Sequence, residues 1–202
     1  MIEKNEDSNQ SYKTATSDLP DSSNKTYSFY WGEYGTDQTG ITNYDKVDGS
    51  NDFGFLKPEQ DSYKGTPYLP DDVSSWTNGA LSDWDGKANS NVLKGVTTGG
   101  GSYTSYATAG HVLNTFLASA DAKGYDDWYI PSCGQLSLIY MYLISVNNAL
   151  LAIGGQPLDT RYYWSSSEHS SNSGWIVLFN NGRTFTRYKR LTSSVRFVRD
   201  IE

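Results

Sequence analysis

Glu168, His169 and Ser170 set a carboxylate, an imidazole and a hydroxyl side by side, the three groups of a hydrolytic site. Their adjacency argues against that use, because neighbours on a strand or loop point apart and no oxyanion element accompanies them. Cys133 follows Ser132 at an expected helix start, a place where a thiol pKa can fall. A buried small residue is the preferred reading, and a lone cysteine excludes an internal disulfide. His111 falls within another expected helix and reads as a packed or partly exposed residue, not a ligand or base. Asp83, Asp85 and Asn89 offer alternating oxygens like those of a calcium loop, without the later Glu that completes the twelve-residue arrangement. The competing reading is an Asx-rich turn leading into residues 88–93. No Cys and His cluster supplies a zinc site, and calcium is the one cofactor entertained.

The second chemistry on offer is recognition. In the last forty residues Trp175, Val177 and Phe179 alternate with Ile176, Leu178 and Asn180, so a strand would turn the first set to a core and the second outward. An outward set holding Ile176 and Leu178 reads as a binding surface. A sheet covered on both faces would instead bury them. Phe185 and Tyr188 offer contact area at low entropic cost, and Arg183, Arg187 and Arg190 offer forked donors for carboxylates or phosphates.

Recognition of this kind needs a platform. Residues 1–26 are polar, with Tyr12 their only aromatic, and read as a flexible arm. The folded domain is expected over 27–202. It opens on Phe29, Tyr30, Trp31 and Tyr34, with Phe29 and Trp31 on one side of a strand and Tyr30 on the other. The region to residue 104 is otherwise irregular and pinned by aromatics such as Phe53, Tyr63, Tyr68, Trp76 and Trp84. In the helical part, 105–160, apolar spacing predicts a helix over 106–120, from Ala109, Val112, Leu113, Phe116 and Leu117. Ser132 with Gln135 predicts a capping-box start to a helix running to about Leu151 and ending at Gly154-Gly155. The sheet region, 161–202, holds strands at 161–166, 174–180, 183–190 and 194–199, and Asn181-Gly182 marks a hairpin.

Charge is divided unevenly. Residues 161–202 carry seven Lys or Arg against three Asp or Glu, so a chain of net charge −7 has −11 in its first 160 residues. That split argues against generic nucleic-acid binding and leaves a basic end that could meet an anionic partner. The start is acidic and lacks the runs of a secretory signal. No segment approaches the ~18 apolar residues of a membrane span.

Several motifs together resemble a known family. They are Gly124-Tyr125-Asp126-Asp127-Trp128-Tyr129-Ile130-Pro131-Ser132 with Gln135-Leu136, Tyr163-Trp164-Ser165-Ser166-Ser167-Glu168, Gly174-Trp175-Ile176-Val177-Leu178-Phe179, Asn181-Gly182, Lys189 and Val195-Arg196-Phe197-Val198-Arg199. They are similar to the C-type-lectin-like fold in its bacterial and phage form, which shares architecture with formylglycine-generating enzymes. Residues 30–37 and 80–86 are similar to insertions in gut Bacteroidales phage and prophage members. Those members include the variable proteins of diversity-generating retroelements, whose C-terminal repeat is rewritten at adenines.

The resemblance implies an α+β fold with two helices on small antiparallel sheets, and a non-enzymatic receptor- or ligand-binding role. It places Trp164, Trp175, Val177, Phe179, Gly182, Lys189, Val195, Arg196, Val198 and Arg199 in a framework. Thr184 departs from the apolar inward residue that relatives tend to carry. The implied ligand-binding set is His169, Asn172, Ser173, Ile176, Leu178, Arg183, Phe185, Arg187, Tyr188, Arg190, Leu191, Ser193 and Phe197. The expected partner is a protein or glycan on a cell surface, met by a monomer on a phage particle or bacterial surface. An enzyme of the formylglycine-generating architecture, whose chemistry uses paired cysteines, and a structural phage decoration module are the alternatives. No Glu-Pro-Asn or Gln-Pro-Asp triplet is present to support calcium-dependent sugar binding.

Overall fold

The computed structural model describes residues 28–48, 52–55, 76 and 78–200; the expected arm and the aromatics Tyr63 and Tyr68 lie outside them. Along the described chain run β1 (Phe29–Tyr30), β2 (Gly54–Phe55), α1 (Gly86–Leu93), α2 (Ala109–Leu117), α3 (Cys133–Met141), α4 (Leu143–Ala152), β3 (Tyr162–Ser170), β4 (Ser173–Leu178), β5 (Arg183–Tyr188) and β6 (Thr192–Ser193). The fold is α+β. Its main sheet is antiparallel in the order β2-β5-β4-β3, and β1 pairs with β6 in a second, two-stranded sheet.

The hairpin expected at Asn181-Gly182 forms as a four-residue connection between Leu178 and Arg183. Gly182 takes φ 70°, a left-handed value that glycine tolerates, and the Asn181 side chain accepts from the Arg183 amide at 3.1 Å. In the resulting register Trp164 lies beside Ile176 and Ile176 beside Phe185, while Tyr163, Val177 and Thr184 line up on the other face.

Both faces of the sheet are covered. One packs Trp164 and Ile176 with Phe29, Trp31, Leu113, Phe116 and Phe197. The other packs Tyr163, Trp175, Val177 and Phe179 with Leu81, Cys133, Leu136 and Tyr140. Every residue of β4 is therefore buried. Phe29, Tyr30 and Trp31 are likewise all buried, so the strand-like division among them does not leave Tyr30 outside. The buried indoles donate to backbone carbonyls: Trp31 to Ser165 at 2.7 Å, Trp164 to Phe29 at 2.8 Å and Trp175 to Tyr44 at 2.9 Å.

Helix α2 starts where Thr108 accepts from the His111 amide at 3.2 Å, and it buries Ala109, Val112, Leu113 and Phe116 as expected. It crosses α1 so closely that a Cβ on Gly110 would overlap the Leu93 carbonyl. Ser132 and Gln135 close the capping box of α3. The single helix expected to Leu151 is instead two, bent by 80° between Met141 and Leu143. Neither Pro nor Gly causes the break; α3 stays on the sheet, while α4 turns so that Asn147 bonds both the Leu158 amide (2.8 Å) and carbonyl (3.0 Å). Among the described residues no single helix is long and apolar enough to cross a membrane.

Two further expectations are corrected. The region before residue 104 contains a regular helix, α1, whose buried side chains include Asn89 and Ser90. Ser90 receives the Ile130 amide at 2.8 Å and donates to the Ile130 carbonyl at 3.2 Å, so polar bonds hold a face that apolar packing usually holds. Residues 194–199 form no strand. They touch neighbours through isolated bridges, Tyr163 with Ser194 and Tyr129 with Val198, because the segment passes from β3 to the stretch before α3.

Candidate ligand-binding face

A buried polar hub fixes the chain where β5 ends. Lys189 bonds the Glu168 carboxylate with both side chains wholly excluded from solvent, and its ammonium also donates to the Thr36 carbonyl at 2.7 Å. Both Glu168 carboxylate oxygens accept from the Gln38 amide at 3.1 Å, and the Lys189 ammonium lies 4.7 Å from the Trp31 ring centroid. Burial pushes Glu168 up and Lys189 down, and each partner's charge opposes the shift of the other. The Lys189 backbone is pinned as well, its amide to Asn172 and its carbonyl to Trp31. This framework position is thus structural.

On either side of that peg the chain presents aromatic rings and arginines. Toward the sheet face, Arg183 lies 4.5 Å from the Phe185 centroid and 5.4 Å from Phe53. Tyr162 meets Phe185 edge to face at 6.1 Å, and Arg187 lies 5.0 Å from Tyr162. Phe53 and Tyr162 are 42% and 40% exposed, high for rings of that size. Burial holds the Arg187 guanidinium below its ordinary pKa. Beyond Lys189, Arg190 lies 4.9 Å from the Tyr34 ring and 5.2 Å from Tyr188, and it donates to the Tyr103 hydroxyl at 2.9 Å. Tyr188 is 50% exposed and Leu191 is exposed beside it.

The structure divides the expected binding set. Arg183, Phe185, Arg187, Tyr188, Arg190 and Leu191 belong to these two clusters, and Asn172 is exposed on the turn between β3 and β4. Ile176 (0% exposed) and Leu178 (8%) are core residues, Ile176 because the second face of the sheet is covered there by β1 and α2. Ser173, Ser193 and Phe197 are buried too: Ser173 and Ser193 by strand pairing, Phe197 by contact with Phe116 at 4.8 Å. His169 is half-buried with its ring edge on Trp175, apart from both clusters, and burial lowers its pKa. Tyr34, Phe53, Tyr103 and Tyr162 were missed. The density of aromatics around Tyr34 was a signal, but it read as the start of a core.

Other expectations resolve on geometry. Asp83 is a buried acceptor: its carboxylate takes bonds from Ser167 (2.5 Å), Asn89 (2.9 Å) and the Asp85 amide (2.9 Å). Asn89 donates its NH2 to Asp83, and Asp85 is exposed. Among the described residues no three His, Cys, Asp or Glu side chains converge as a metal site would require. Cys133 is buried, and burial together with the nearby Asp83 charge pushes its thiol far up. His111 is half-buried on α2. Arg196 is buried and donates to the Gln156 carbonyl at 2.9 Å; Arg199 donates to Asp127 at 3.0 Å and sits 3.6 Å from the Tyr125 ring. Thr184 points inward as its register requires, with a buried hydroxyl that has no partner among the described residues.

Comparison of the chain with protein families, with curated proteins and with solved structures gives no match.

Proposed function

We propose that this chain is a non-enzymatic ligand-binding protein with a C-type-lectin-like scaffold, the diversified surface protein of a retroelement in a gut bacterium or its phage, displayed on the particle or cell surface. One observation carries the reading: Arg183, Phe185, Arg187, Tyr188 and Arg190, side-chain types that dominate interface hot spots, stand half-buried or exposed on a backbone that a deep core and the Lys189 peg hold in place. The exposed Arg183 and Tyr188 contribute little to folding and are free to change, while Phe185 also packs against the core beside Ile176. The diversified positions are then those of β5 and the following turn, and not the core residues Ile176 and Leu178.

The nucleotide context tests the proposal. A neighbouring reverse-transcriptase gene and a template repeat differing at adenines in the codons of Arg183, Phe185, Arg187, Tyr188, Arg190 and Leu191 are expected. Mismatches spread evenly over all four bases would overturn it.

A structural decoration module is the second reading, and one feature favours it. Ile144 and Leu151, seven residues apart and so on one side of α4, are both exposed, as apolar residues covered within an assembly would be. A stable oligomer in size-exclusion chromatography with light scattering, dissociated by Leu151→Asp, would support that reading; a monomer would remove it.

A further inference from the structure

Arg183 and Arg187 share one face of β5, four residues apart, which sets their Cα atoms ~13 Å from each other along the strand. Each is held over a ring, Arg183 over Phe185 and Phe53 and Arg187 over Tyr162, so their charges are fixed in position along the strand. Neither has a carboxylate partner among the described residues. Arg187 makes one long bond, 3.4 Å to the Thr192 carbonyl, and its Nε is buried without a partner among the described residues. Asp52, next to Phe53 in the chain, is taken by Lys46 at 2.6 Å. The chain's acids outnumber its bases 23 to 16, and none of the acids among the described residues pairs with either cation.

The chemistry of the ladder is one-sided. Its five side chains offer guanidinium donors, apolar rings and the Tyr162 hydroxyl, and no carboxylate or amide that could accept from a neutral sugar. An arginine lies within 5.4 Å of each ring centroid, where it competes with a pyranose for a ring face.

Resting on the binding role proposed above, we infer that this ladder recognises an acidic segment of a partner protein. Its Asp or Glu carboxylates take the guanidinium forks of Arg183 and Arg187, and its apolar atoms cover Phe53, Phe185 and Tyr162.

The test uses the full chain and three labelled probes in fluorescence anisotropy: an alternating Glu-Val peptide, an alternating Lys-Val peptide and polygalacturonate. Saturable binding of the Glu-Val peptide is expected, weakened by salt and absent for the Lys-Val peptide. The Arg183→Gln, Arg187→Gln double variant should lose about tenfold or more in affinity, with its circular dichroism and urea midpoint unchanged, and the double Lys variant should lose less. No Glu-Val binding at low salt, or equal binding by the Gln double variant, overturns the inference. Tighter binding of polygalacturonate than of the Glu-Val peptide overturns the assignment to a protein partner. A template repeat beside the gene with no peptide binding would sink this inference alone. Arginine-dependent peptide binding without a template repeat would leave it standing and remove the retroelement.

Discussion

The Lys189 ammonium and the Glu168 carboxylate are paired across 21 residues of sequence with no solvent at either side chain. Removing one partner strands the other in a low-dielectric site. Lys189→Met is expected to cost about 3–5 kcal/mol of stability, while Glu168→Gln with Lys189→Met together should recover much of that loss. Urea unfolding of the two variants decides it; equal losses would mean that the pair's charges are not coupled.

Ile176 and Arg183 lie on neighbouring strands and should respond unequally to truncation. Ile176→Ala opens a cavity among Trp31, Leu113 and Trp164 and should cost about 2–5 kcal/mol. Arg183→Ala removes an exposed side chain and should stay within about 0.5 kcal/mol of the parent. Thermal and urea midpoints of the pair test the separation of scaffold from display surface.

Two phenols titrate late. Burial pushes Tyr129 and Tyr163 from 10.0 up to about 12, helped by Asp200 for the first and Asp159 for the second. Both folded values lie above the unfolded one, so the stabilising contribution is whole below pH 10 and is lost as pH climbs from there to about 12. For the deeply buried Tyr163 the loss amounts to roughly 3 kcal/mol at full ionisation. Phenolate absorbance of the native protein should show these late steps, and Tyr163→Phe should flatten the alkaline fall in melting temperature.

Cys133 lies on the first turn of α3 with no exposed surface, and its thiol is held protonated. A thiol reagent should label the native protein only as fast as the chain opens, and label unfolded protein at once. Labelling that outpaces opening would mean a reactive thiol and reopen the case for catalysis.

Signals that are local in the chain were legible in it. The Ser132 and Gln135 pair, the Asn181-Gly182 turn and the apolar period of α2 each depend on residues within a few positions of one another, and each formed. Ile176 was misplaced because alternation shows which residues share a face, and cannot show that β1 and α2 arrive from distant sequence to cover the second one. Helix α1 escaped notice because Ser90 and Asn89 anchor it by hydrogen bonds, which leave no apolar period. The bend at Tyr142 has no Pro or Gly to mark it, and the Asn147 bonds to Leu158 reach a residue beyond the helix end. For the binding face, the β5 half was readable from residue type. The half from Tyr34 and Tyr103 was not, because only the folded chain brings these loops to Arg190.

Lys189 sits between Tyr188 and Arg190, locked at its ammonium, its amide and its carbonyl. Substitution on either side of it would alter chemistry without altering geometry. A library randomised at Tyr188, Arg190 and Leu191 should therefore meet its targets at similar speeds and differ in how long each complex lasts, since a prearranged backbone has little left to organise on encounter.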